Sequence, residues 1–226
     1  MATKRTFPNE SPAYRAARDK LLDAEVELRA QIERVAEQRR SLPLGGKVNE
    51  DYPFQELVRG APWTVKLSEL FPAGKDTLFL YSFMYGPRME QPCALCTSFL
   101  DGLNAQAPHL GQRLGVAVVA KASIERVTEF AMGRQWHNLR MVSSGETSYH
   151  ADYLGEDEQG NQLPMANVFV QRPDGIYHSW GSELLHREMQ GGDSRHLDAL
   201  WPLWNILDLT PAGRGADWYP RLSYEQ

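Results

Sequence analysis

Residues 77–85, Thr-Leu-Phe-Leu-Tyr-Ser-Phe-Met-Tyr, restrict the fold more than any other stretch of the chain. They are nearly continuously apolar and rich in strand formers, a pattern that suits a strand buried on both faces of a sheet. Gly86-Pro87 ends the run, and Cys93-Ala-Leu-Cys96 follows. From Cys96 onward Phe99, Leu100, Leu103, Ala107, Leu110 and Leu114 recur at helical spacing on one face. Pro108 is expected to kink or restart this helix, because it donates no N–H and its ring crowds the preceding turn. Val116-Ala-Val-Val-Ala120 is a second strand of the buried type. Two such strands joined by a helix make a parallel β-α-β unit.

Downstream, Ser123 caps a helix that turns Ile124, Val127, Phe130 and Ala131 inward, and residues 141–144 suit a short strand. An acidic loop spans 155–160. Residues 165–171 and 176–180 form a hairpin around Arg172-Pro-Asp-Gly175. Asp193 is placed to cap a closing helix bearing Leu197, Leu200, Trp201, Trp204 and Leu207, bent at Pro202. Trp218-Tyr219-Pro220 suits an anchor for the tail.

Upstream, Ser11-Pro12 opens a helix that runs without glycine or further proline to about Arg40. Tyr14, Leu21, Leu28, Val35 and Leu42 form its stripe, which weakens at Gln31 and Gln38. That makes a docking helix, packed on its own domain or on a twin, rather than a long coiled coil. A loop is expected from there to about Gly60. The expected division is therefore 1–60, helix and linker packing on the core, and 61–226, the main domain. The order helix, β-α-β-α, β-β-α describes a thioredoxin-like α/β fold, a central mixed sheet flanked by helices, with an added N-terminal helix. A doubly wound nucleotide fold is the main rival, but no G-x-G-x-x-G follows either buried strand.

With Lys+Arg 24 against Asp+Glu 29, the formal charge is -5 and the pI near 5.7, so no basic field for a phosphate backbone is present. Two Cys cannot build a disulfide-dense secreted scaffold or a four-thiolate zinc site. The longest apolar run falls far short of the ~20 residues of a membrane helix. No apolar stretch follows Lys4-Arg5, and a cytoplasmic protein is expected, in a compartment that keeps thiols reduced.

Two cysteines scattered at random would fall three residues apart about one time in a hundred. Here the pair also sits after a buried strand, at the start of an amphipathic helix. Unpaired N–H groups and the positive end of the helix dipole lower a thiol pKa there, which makes Cys93 the expected nucleophile. Cys96, nearly one turn on, would resolve a mixed disulfide on Cys93. That chemistry needs no bound cofactor, only a disulfide substrate and a reducing partner.

The alternative is a binding module of the same fold, holding a soft metal ion or a protein partner without redox turnover. None of the six His has zinc-finger spacing to another. A peroxidatic site resembling P-x-x-x-T-x-x-C is disfavoured, since Glu90 stands at the Thr position and Gly86 at the Pro position.

Around the dithiol, Pro164 is a candidate cis proline facing the cysteines, with an ordinary trans proline as the alternative. Lys121 is a candidate thiolate partner, against a solvated lysine. Trp136 and Tyr85 are candidate walls of the site, against plain core aromatics. His178 is read as a half-exposed strand residue rather than a proton shuttle.

Arg39-Arg40-Ser-Leu-Pro43, Phe83-Met-Tyr-Gly-Pro87, Cys93-x-x-Cys96, Val142-Ser-Ser144 and Leu207-Asp-Leu-Thr-Pro-Ala-Gly-Arg214 occur in that order. Together they resemble the bacterial domain-of-unknown-function family eight-nine-nine, described as predicted dithiol–disulfide oxidoreductases of thioredoxin-like fold. The resemblance runs from about Tyr14 to about Arg214 and implies the fold and a redox dithiol, not a substrate. The chain departs from the family pattern at Ser82, where a His is common, and at Ala94-Leu95, where a Pro and a small residue are usual. It also reads Ala120-Lys121-Ala122-Ser123 in place of S-R-A-P, while Trp136 matches.

Overall fold

The computed structural model describes residues 6–187, 200–215 and 218–224. The chain divides into two units, Met1–Pro43 and Leu44–Gln226, so residues 44–60 fall with the second unit.

Among the described residues the first unit is built on one helix, α1 (Pro12–Arg40). Ser11 caps it, its hydroxyl accepting the N–H of Tyr14 at 3.1 Å, and Pro12 occupies the first turn, where its missing N–H costs nothing. Arg39 and Arg40 lie in the last turn, the favourable end of the dipole for cations.

The second unit is built on a seven-stranded sheet in the order β2-β1-β5-β4-β3-β6-β7. Its strands are β1 (Pro53–Val58), β2 (Ala61–Lys66), β3 (Thr77–Ser82), β4 (Gly115–Ala120), β5 (Arg140–Ser143), β6 (Met165–Arg172) and β7 (Gly175–Gly181). Its helices among the described residues are α2 (Ala94–Leu110), α3 (Ile124–Gly133), α4 (Tyr149–Asp152) and α5 (Pro202–Asp208). Strands β3, β4 and β5 run parallel, while β6 pairs antiparallel with β3 and β7 antiparallel with β6. The unit β3-α2-β4-α3 followed by the β6-β7 hairpin and α5 is the thioredoxin-like arrangement.

Strand β3 is buried on both faces, as its sequence demands. Leu78 and Leu80 enter one core with Phe54, Val119, Tyr149 and Phe169. Tyr81 and Phe83 enter the other with Cys96, Phe99, Leu100, Val127 and Trp136. The period of two along the strand sorts the residues. Gly115 opens β4 where a Cβ would fall 2.8 Å from the Pro72 ring and 2.9 Å from the Leu70 carbonyl, so no side chain fits.

Three expectations are corrected. Part of the loop expected up to Gly60 is strand β1, joined to β2 by a two-residue turn of Arg59 (φ 54) and Gly60 (φ 82). Both are left-handed, as a tight hairpin turn requires, but Arg59 replaces the usual Asn or Asp and hides the signal. Pro108 lies inside α2, which runs on through it instead of restarting there. The carbonyl it leaves without a helical partner, that of Asn104, accepts the Asn138 side-chain amide at 3.2 Å. Pro202 starts α5 rather than bending it. The proposed cap Asp193 and Leu197 lie outside the described residues. Trp201 and Trp204 are buried, with ring centroids 5.4 Å apart, and Trp218 and Tyr219 pack on Trp204 at 6.1 and 6.4 Å. No helix among the described residues is long and apolar enough to cross a membrane.

Candidate active site

Helix α2 starts at the C-terminal end of β3, and the segment between them delivers Cys93. The Phe83 N–H bonds the Val119 carbonyl at 2.8 Å, and the Cys93 N–H bonds the Met84 carbonyl at 3.0 Å. Arg126, from α3, holds the intervening turn. Its guanidinium donates to the carbonyls of Pro87 (3.2 Å), Met89 and Glu90 (3.5 Å), and lies 4.7 Å over the Tyr85 ring. A planar fork with several donors suits this task better than an ammonium.

Cys93 is the N-cap of α2, with extended backbone (φ -62, ψ 124). Its Sγ accepts the Cys96 N–H at 3.5 Å, and its carbonyl takes both the N–H and the hydroxyl of Thr97, at 3.0 and 2.9 Å. Both thiols are free. The Cys96 thiol beside it, with the N–H groups of Cys96 and Leu95, draws the Cys93 pKa down to about 6, against the opposing effect of burial. Cys96 is 3% exposed, and burial first, then its neighbour Cys93, pushes its own pKa well up. One thiol is thus set to ionise and the other to stay protonated.

Tyr81 is the residue that sequence reasoning passed over. It is buried on β3 and packs on Phe99 with centroids 4.8 Å apart; burial first, then the neighbouring Cys96 and Cys93 thiols, pushes its pKa well up. The signal was available, because alternation along β3 turns Tyr81 toward α2 and a buried phenol needs a polar partner.

The other candidates separate. Lys121 does not pair with Cys93. Its ammonium is held by Glu156 at 2.6 and 2.8 Å, and Glu156 also accepts from the Gln162 amide at 3.2 Å. Tyr85 and Trp136 belong to the apolar cluster that includes Cys96 and against which Cys93 packs. Trp136 lies 5.8 Å from Phe83 and 5.6 Å from Phe130, and its indole N–H donates to Asp101 at 2.8 Å.

Pro164 precedes β6, one position beyond the Ser82–Met165 pair that ends the β3–β6 ladder. Its peptide bond is trans, for no bond among the described residues is cis. The chain reaches it through a loop closed by the Leu163 N–H on the Gly155 carbonyl at 2.8 Å.

His178 is half-buried, with Nε2 2.9 Å from Asn167 Oδ1 and its ring against Tyr153 and Phe169. Phe169 belongs to the core that does not contain the cysteines. His150, another residue the sequence did not single out, is wholly buried with Nδ1 2.8 Å from Ser144 Oγ. Burial lowers its pKa to about 4, so it is neutral at physiological pH. Among the described residues no three His, Cys, Asp or Glu side chains gather as a metal-ligand set.

A thioredoxin-like sheet with a Cys-x-x-Cys dithiol at the first turn of its central helix defines the class. The family model described as a bacterial protein of unknown function (DUF899) matches residues 4–225, and the chain belongs to that family. No curated protein matches it significantly. Among solved structures it is similar to AhpC of Enterococcus faecalis, at 14% identity over 78% of this chain and 98% of that one, with a TM-score of 0.48. It is also similar to reduced Prx3 of Vibrio vulnificus in complex with hydrogen peroxide, at 13% identity over 70% and 99% of the two chains, with a TM-score of 0.46. A peroxiredoxin Q variant of Xanthomonas campestris shares 18% identity over 72% and 96%, with a TM-score of 0.45.

Proposed function

We propose that the protein is a thiol–disulfide oxidoreductase in which Cys93 attacks a substrate disulfide and Cys96 resolves the mixed disulfide. The observation that carries this reading is the asymmetry of the pair. Cys93 sits at the helix cap with its pKa drawn down to about 6, while Cys96 is buried and protonated one turn on. A low-pKa thiol supplies the attacking thiolate near neutral pH and is a good leaving group when Cys96 closes the ring. The cycle consumes one disulfide and the two thiols, and yields two substrate thiols and the Cys93–Cys96 disulfide. A reducing partner, another dithiol protein or a low-molecular-weight thiol, returns the pair to the dithiol. The cytoplasm, with its reducing thiol pool, is the compartment we propose, and the heptad stripe of α1 suits a homodimer contact.

The test is alkylation and mass analysis of the wild-type protein across graded dithiothreitol redox buffers. Both cysteines should convert together at one defined potential. A pair that never closes, or closes only between chains, would refute the reading.

A further inference from the structure

A cavity of about 500 Å³ opens beside the Cys93 segment. It lies where three strands end and their loops converge. Met84, Arg88 and Met89 come from the segment after β3, Lys121 follows β4, Glu146 follows β5, and Gln162 precedes β6. Its volume falls in the range of small-molecule sites, about 300–1,000 Å³. The cavity adjoins the segment that leads into the dithiol, since Met84, on its wall, gives its carbonyl to the Cys93 N–H at 3.0 Å. Met84 and Met89 pack on the same apolar cluster as Cys93.

The lining has a definite polarity. The Gln162 side-chain N–H groups are taken by Glu156 at 3.2 Å and by the Gly160 carbonyl at 3.4 Å. This fixes the amide orientation and leaves Oε1 as the remaining atom. That oxygen is buried and has no partner among the described residues, on a residue only 8% exposed. A buried acceptor without a donor is costly, so the site calls for an N–H or O–H from outside the chain. Lys121 is already neutralised by Glu156. Among the described residues Arg88 makes one long hydrogen bond, 3.4 Å to the Gln159 carbonyl, and its charge also acts weakly on the exposed Asp157, while Glu146 stands exposed on the wall. The cavity thus combines an acceptor, a guanidinium and a carboxylate, with Met84 and Met89 on its wall.

Resting on the oxidoreductase reading, we propose that this cavity binds the α-amino-acid head group of a small disulfide and presents its sulfur to Cys93. The ligand carboxylate pairs with Arg88. Its ammonium or amide N–H donates to Gln162 Oε1 and faces Glu146, and its sulfur-bearing arm passes Met84 and Met89. In the reaction the Cys93 thiolate forms an S–S bond to one half of the disulfide, and the other half leaves as thiolate and takes a proton. Cys96 then loses its proton, bonds to Cys93 and releases the second half as thiol. Two electrons pass from the protein dithiol to the small disulfide.

The test uses full-length protein with Cys96→Ser, which stops at the mixed disulfide. Four probes are compared: cystine, cystamine (no carboxylate), 3,3′-dithiodipropionate (no ammonium) and bis(2-hydroxyethyl) disulfide (neither). Each second-order rate is divided by the rate of a free thiol of matched pKa. Cystine should exceed the other three by about tenfold or more, the worth of one added charge-assisted contact. Arg88→Ala, at an exposed position that folding tolerates, should slow the two carboxylate-bearing probes about tenfold relative to cystamine. Gln162→Met should slow cystine most. Equal normalised rates for all four, indifferent to Arg88→Ala, would show a cavity that holds only water and would overturn the proposal while leaving the dithiol reading intact. No reaction of Cys93 with any probe would overturn both.

Discussion

The structure assigns the low pKa of Cys93 first to the Cys96 thiol and only then to the helix N–H groups, and Cys96→Ala separates the two. The drop from the ordinary 9.0 to about 6 corresponds to about 4 kcal/mol of preference for the thiolate. A hydrogen bond to a charged acceptor contributes about 1.5–3 kcal/mol, so losing the S–H donor should raise the Cys93 pKa by about 1–2, to about 7–8. The N–H of residue 96 remains in the variant and keeps the value below that of a free thiol.

A rate at one pH would miss the change. At pH 7 the thiolate fraction falls roughly fourfold, but a thiolate of higher pKa is intrinsically more nucleophilic by a similar factor. The assay is therefore the full pH profile of iodoacetamide alkylation at Cys93. The midpoint should move up to about 7–8 and the alkaline plateau should rise about fivefold. A midpoint that stays near 6 would refute the assignment and leave the helix terminus as the sole cause. One that rises to 9 would show that the N–H groups do no more than offset the effect of burial.

Two further predictions follow from buried groups. Tyr81→Phe keeps the packing on Phe99 but removes the hydroxyl that meets the Cys96 thiol, so disulfide closure should slow about tenfold while Cys93 alkylation is unchanged. Stopped-flow closure kinetics equal to wild type would remove Tyr81 from the resolving step. His150 is neutral when folded, with its pKa lowered from 6.5 to about 4, so its stabilising contribution is present above pH 6.5 and is lost as pH falls toward 4. The loss amounts to about 3 kcal/mol, and His150→Asn should flatten denaturant-unfolding stability over that window; an unaltered slope would refute the assignment.

Much of this architecture was legible in the chain itself. Residues 77–85 are apolar at almost every position, and only a strand covered on both sides accommodates that. The spacing of Phe99, Leu100 and Leu103 after the dithiol leaves a helix as the one regular solution, and with it Cys93 at a helix start. These patterns are local, and local periodicity is what a sequence displays. Strand β1 was hidden because its turn uses Arg59 at a left-handed position, where only pairing with β2 and β5 reveals the extended run. Pro108 read as a kink or restart because the Asn138 amide that takes up the freed carbonyl is remote in sequence.

The site divides in the same way. The choice of Cys93 over Cys96 as the more accessible, ionising thiol follows from helix geometry and needs no tertiary contact. The partner of every other group had to wait for the fold. Lys121 carries a charge that suits a thiolate, yet Glu156, in the loop ahead of β6, holds it instead. Tyr81 meets Cys96 only because β3 and α2 pack face to face. The dithiol and its helix were thus determined by neighbours along the chain, while its proton partner, its clamp at Arg126 and the cavity beside it were decided by loops that converge from distant segments. A charge or donor in sequence names no partner, and long-range packing selects the one it meets.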